Sequence, residues 1–172
     1  MLARFLLWTA VLTVSACASQ PTVVNELSKT RAVKLLDNPG ASYGARYDRA
    51  TGRCTPGTVQ LLSEDEFETL RSGWRGAPGA TSCSDTKKQQ IPATTGYPEV
   101  FARLNVSGSA QVMVRLEADG QVESVHPVCA TDSAFAQAAA ETAMRIVYSP
   151  RECDGVPVRS VILVPFNYDW KK

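Results

Sequence analysis

The chain has one histidine, His126, and its five cysteines never fall into a CxxC pair. A metal centre or a Cys–His couple would therefore be short of ligands or of a base. There is no nucleophile elbow and no phosphate-cradling glycine loop. Neither an enzyme nor a bound cofactor or metal is expected. His126 precedes Pro127 and reads as a partly exposed surface residue. Charge of one sign is also missing: 18 Lys and Arg stand against 17 Asp and Glu, with no basic block. Nucleic acid is not an expected partner. No apolar run reaches the ~20 residues that span a bilayer.

The N-terminus is more informative. Arg4 gives a positive start, Phe5 to Val14 an apolar middle, and small residues lead to a cleavage point. This is the layout of a removed signal peptide. Val14-Ser15-Ala16-Cys17 resembles the lipobox of bacterial lipoproteins, where this cysteine becomes the lipidated first residue. The resemblance implies that residues 1–16 are removed and that Cys17 anchors the chain to a membrane, its bulk in the periplasm. Ala18 stands where inner-membrane retention commonly uses Asp, which favours the outer membrane. At ~0.8 kcal/mol per buried CH₂ one acyl chain holds only marginally, whereas the three chains of a bacterial lipoprotein anchor permanently.

The mature chain would hold 172 − 16 = 156 residues, enough for one domain or one with a small appendage. With 44% apolar and 20% charged residues it can build an ordinary core. Cys54, Cys83, Cys129 and Cys153 remain, an even number in an oxidising compartment, and read as two disulfides rather than a metal site. Three pairings are open. Sequence neighbours, Cys54 with Cys83 and Cys129 with Cys153, are the simplest choice. The first is the firmer, because a helix returning across a sheet would leave Cys129 and Cys153 too far apart to bridge.

Residues 17–95 read as a linker and a small N-terminal subdomain. Thr22 to Leu36 could form a weak helix, Asn38-Pro39-Gly40 a turn, and Thr58 to Leu62 a short strand. Ser63 and Glu66 have capping-box spacing, so a helix should begin there, with Phe67 and Leu70 on one face and Gly73 at its end. The acids at 64, 65, 66 and 68 then suit the helix dipole and need no catalytic role. Cys54 and Cys83 would staple this strand and helix together.

Residues 96–172 are clearer. Pro98 suits the first position of a helix carrying Val100, Phe101 and Leu104, ended near Gly108. Ala110, Val112, Val114 and Leu116 alternate with Gln111, Arg115 and Glu117, as in a half-buried strand. Asp119-Gly120 predicts a hairpin, and the slip in phase after Val122 predicts a bulge. Asp132 or Ser133 should cap a helix with Phe135, Ala139, Thr142 or Ala143, and Ile146 on its core face. A last strand should run from Val156 to Tyr168.

Tyr97-Pro98, Gly108, Val112-Met113-Val114-Arg115-Leu116 and Asp119-Gly120-Gln121-Val122 resemble the TonB C-terminal domain. So do the Ala-rich helix, Tyr148-Ser149-Pro150, Gly155-Val156-Pro157-Val158 and Val164-Pro165-Phe166. The resemblance implies an α+β fold, α-β-β-α-β, with a three-stranded antiparallel sheet and two helices on one face. It also implies a protein partner. A short extended segment, the TonB box at the plug of an outer-membrane transporter, would add as a strand beside the last strand. The candidate edge is Arg159, Val161, Ile162, Leu163 and Val164, with Val161 and Leu163 supplying side-chain contacts or simply touching the N-terminal subdomain. Pro157 and Pro165 cannot donate, which limits the pairing. The resemblance stops short of energy transduction: the chain shows no spanning N-terminal helix and no long Pro-rich stretch. The alternative is a structural envelope lipoprotein that uses the domain for protein contact or self-association.

Overall fold

The computed structural model describes residues 33–35, 44–74, 78–92 and 96–169. The signal segment, Cys17, the Asn38-Pro39-Gly40 turn and most of the Thr22–Leu36 stretch lie outside them. In chain order the elements are β1 (Val33–Leu35), β2 (Tyr47–Asp48), β3 (Arg53–Cys54), β4 (Val59–Gln60), α1 (Glu64–Ser72), β5 (Lys88–Gln90) and α2 (Glu99–Leu104). They continue with β6 (Gly108–Leu116), β7 (Val122–Ala130), α3 (Ser133–Ala143), β8 (Val147–Tyr148), β9 (Arg151–Cys153), β10 (Val156–Val158) and β11 (Ser160–Tyr168).

The hairpin of β6 and β7 is the scaffold. Gly120 takes φ 87° at its tip, and Asp119 Oδ1 accepts the Gln121 N–H at 2.9 Å. The expected bulge is present: Arg115 faces Ser124 but Leu116 faces Val122. A second shift lies between Gln111 and Val112. β11 returns antiparallel along the whole of β6, from Ser160 opposite Leu116 to Tyr168 opposite Gly108. On one face α3 packs with Phe135, Ala139 and Ala143, and Phe101 of α2 stacks on Phe135 at 4.7 Å. Asp132 caps α3, its carboxylate accepting the Ala134 N–H.

The sheet has five strands rather than the expected three, in the order β1-β11-β6-β7-β4. Both additions come from the N-terminal half. β1 pairs with the end of β11, so Val33–Leu35 is strand and not part of a helix. β4 pairs with Ala130 and Cys129 of β7. The N-terminal half also covers the second face of the sheet. Ala45, Tyr47 and Phe67 join Met113, Val128 and Cys129 in a second core, with Tyr47 and Phe67 stacked at 4.2 Å. Hence β6 is buried on both faces, not half-buried. Its polar residues on that side serve the covering chain: Gln111 Oε1 accepts the Tyr47 N–H at 2.6 Å, and Ser109 Oγ accepts that of Ala45 at 2.8 Å. Such bonds remove the cost of burying an amide and a hydroxyl.

The disulfides correct both neighbour pairings and the idea of a self-stapled subdomain. Cys54 bonds Cys129 and Cys83 bonds Cys153. The reason is the pairing of strands. β4 sets Gln60 opposite Cys129, and Gln60 also holds the Cys54 N–H, so Cys54 and Cys129 come to a Cα separation of 5.8 Å. Cys83 forms an antiparallel bridge with Cys153. Both bonds tie the N-terminal half to the C-terminal one. Closing 75 and 70 residues of separation, each restricts the unfolded chain by about 4 kcal/mol in the loop-entropy model.

Smaller departures are local. Pro98 is the N-cap of α2 rather than its first residue, and Asn105 at φ 56°, not Gly108, ends that helix. The last strand is broken in two. Asp154 and Gly155, both at positive φ, turn β9 into β10 as a short hairpin, and β11 begins afresh at Ser160. The capping box of α1 is complete: Ser63 Oγ accepts the Glu66 N–H, and Glu66 accepts that of Ser63. The Ser63 N–H and the Ser63 hydroxyl both donate to Glu66 Oε2, and these two bonds draw the Glu66 carboxyl below its ordinary value.

Candidate functional site: an open strand edge

The edge is built by alternation. At one end of β6, Ser109 exchanges bonds with Thr131 beyond β7; at the other, Glu117 donates to Gln121 across the hairpin. The backbone groups of odd-numbered β6 residues therefore face β7, and those of even-numbered residues face β11. The register carries this across. Ser160, Ile162, Val164, Phe166 and Tyr168 lie opposite even-numbered β6 residues and spend their N–H and C=O groups on β6. Val161, Leu163, Pro165 and Asn167 turn theirs outward.

Asn167 meets Lys34 of β1, the middle of three facing pairs from Phe166 to Tyr168. No described strand pairs with Val161, Leu163 or Pro165 on that side. The edge thus offers two N–H donors and three C=O acceptors, Pro165 contributing an acceptor only. Of the expected edge residues, Val161 and Leu163 present their backbones to it. Ile162 and Val164 face β6 instead, and Arg159 precedes the strand.

Side chains divide by the same alternation. Val164 is 1% exposed in the core beneath α3, with Ile162 packed against it. Val161 and Leu163 are half-buried against the cluster of Tyr47 and Phe67. They touch the N-terminal half of their own chain, the second of the two roles considered for them. At the start of the edge Trp74 is buried, with Arg115 Cζ 4.2 Å and Arg159 Cζ 4.8 Å from its ring centre. Arg159 also donates to Glu117 at 2.9 Å, and Arg115 pairs with Glu123 at 3.5 Å. The two guanidinium groups are thus held in place by an aromatic face and two carboxylates. The sequence carried no sign of this cluster, because Trp74 lies just past the end of α1.

The opposite edge of the sheet is blunted. β4 covers the end of β7, Leu61 donates to Val128, two bulges distort the strand, and Pro127 has no N–H to offer. These are the usual ways of blunting an edge. His126 sits on β7, bonded to Ser124 Oγ at 3.0 Å. Its imidazole is held below its ordinary value first by burial and then by Arg115, with Glu123 opposing. Among the described residues no three His, Cys, Asp or Glu side chains cluster as a metal site.

Residues 94–170 match the family model described as Gram-negative bacterial TonB protein C-terminal. The match takes in α2 and everything from β6 to β11. No curated protein matches the chain.

Proposed function

We propose, from this family match, that the chain is an envelope lipoprotein whose TonB-like domain binds an extended segment of a protein partner by strand addition at β11. Domains of this family belong to Gram-negative envelope proteins, which fits a periplasmic location and a protein partner. In the finer reading Cys17 anchors the chain, in the outer membrane by preference. The partner segment is of TonB-box type, at the plug of a TonB-dependent transporter. The observation that carries the reading is the pair of outward-facing amides at Val161 and Leu163, which no strand among the described residues pairs, on an otherwise blunted sheet.

The size of the edge sets the strength of binding. Of the edge's five groups, the two donors and two acceptors of Val161 and Leu163 alone give about 4 kcal/mol at ~1 kcal/mol per bond, and the Pro165 C=O adds about 1 kcal/mol when it is engaged too. The 4 kcal/mol corresponds to a Kd of roughly 1 mM before the cost of association. Tighter binding must draw on side chains, and Arg159 and the Trp74 cluster are the nearest. A second reading, a scaffolding lipoprotein without transport, is favoured by one observation: Val161 and Leu163 already pack on the chain's own N-terminal half.

The test is titration of the isotope-labelled chain, residues 18–172, with TonB-box peptides at millimolar concentration. A fragment starting near residue 91 would not serve, because it strands Cys129 and Cys153 without partners and strips the cover from Met113. Amide shifts centred on Val161 and Leu163 are expected. Absence of any shift, with every such peptide, leaves the scaffolding reading.

A further inference from the structure

β1 occupies the same lane along β11 that a partner strand would use. It pairs with Phe166 to Tyr168, and among the described residues no strand pairs with the stretch of that lane before Phe166. Three facing pairs are a short strand, and by alternation only one of them, Lys34 with Asn167, lies in hydrogen-bonding phase. A strand so short is not stable by itself and persists only on a preformed edge.

Resting on the strand-addition reading above, we infer that β1 is a detachable strap, an intramolecular competitor for the partner's edge. Docked, it confines a partner to Ser160–Pro165, about 20 Å of strand at ~3.3 Å per residue. Released, it opens Asn167 as a further donor and acceptor, so a longer segment can engage. The apparent affinity of a partner that needs Asn167 is then its intrinsic affinity multiplied by the fraction of molecules in which the strap is released. Because β1 belongs to the stretch preceding Cys54, anything that holds or frees that stretch also tunes the edge.

Amide hydrogen exchange on residues 18–172 tests the strap without any partner, since β11 carries its own references. Leu163 N–H faces the open edge, Val164 N–H is locked into β6, and Asn167 N–H faces β1. Asn167 should exchange at an intermediate rate, at least tenfold slower than Leu163 and at least tenfold faster than Val164. In Lys34→Pro, which removes the donor at the centre of β1, Asn167 should rise to the Leu163 rate while Ile162 and Val164 stay protected. Asn167 exchanging as fast as Leu163 in the unaltered chain overturns the strap. Asn167 as slow as Val164, or unchanged in Lys34→Pro, overturns its detachment. A TonB-box peptide reaching Asn167 should bind Lys34→Pro roughly threefold or more tightly than the unaltered chain. Equal affinity overturns the competition. A peptide that binds neither chain fails the strand-addition reading, and the exchange rates still decide the strap by themselves.

Discussion

Gly108 shows how little room single positions leave. A Cβ there would lie 2.0 Å from the Phe135 ring, inside a core that also holds Tyr97 and Tyr168. The ring cannot retreat, because Phe101 stacks on it and Tyr97 meets it edge-on. Gly108→Ala should therefore destabilise the fold by about 3 kcal/mol, the upper range for overpacking, measured as a shift in urea midpoint at unchanged slope. A second residue, Asp154, ties the β9–β10 turn to the N-terminal half. Its carboxylate accepts from Thr81 N–H and Oγ1 and from Ser82 N–H, and these bonds hold its carboxyl below the ordinary value. A depressed carboxyl favours the folded state above its ordinary titration range, and that gain is lost as pH falls through the depressed folded value. Carboxyl chemical shifts should place the Asp154 midpoint below that of a free aspartate. In Thr81→Val it should move back up, because a side-chain bond is gone.

Among elements, β11 gives the sharpest contrast. Proline at Val161 removes an N–H that faces outward; at Ile162 it removes one spent on β6. Val161→Pro spares the ladder and should cost only about 1 kcal/mol, from packing lost on the Tyr47–Phe67 cluster, while weakening a bound peptide about fivefold, the worth of one hydrogen bond. Ile162→Pro should cost about 3 kcal/mol of stability by breaking the ladder. Urea unfolding and peptide titration on both variants separate the two effects. Elements whose determinants are local were legible in sequence. The β6–β7 hairpin was written in alternation and Asp119-Gly120, and the start of α1 in Ser63 and Glu66. β1 was not legible, because Val33-Lys34-Leu35 becomes a strand only by finding the edge of β11. The alternation put Gln111 on a solvent face, yet it is buried as an acceptor for Tyr47, and Ser109 beside it serves Ala45 in the same way. The disulfide partners depend on β4 reaching β7, a contact no spacing of cysteines encodes. At the candidate site the strand itself could be read, but which of its residues face outward required the register with β6.

At the scale of the whole molecule the N-terminal half is no appendage. It supplies two strands of the main sheet, Ala45, Tyr47 and Phe67 of the second core, and one end of each disulfide. Cys17 lies outside the described residues, so its lipid is a matter for chemistry. Mass analysis of membrane-extracted protein should find residues 1–16 gone and an acylated N-terminus. Cys17→Ser should release the chain to the soluble fraction or block its processing. An unmodified soluble chain would remove the anchor from the proposal. The disulfide pattern has a mechanical corollary if the chain is tethered at one end and grips a partner at β11. Tension entering from the tether can straighten only the residues ahead of Cys54. There the load crosses the sulfur–sulfur bond to Cys129 and passes into β7, and from β7 through β6 to β11 by shear of long antiparallel ladders. The domain is wired to bear a pull along its sheet without unravelling, with the weakly paired β1 as the first strand to let go.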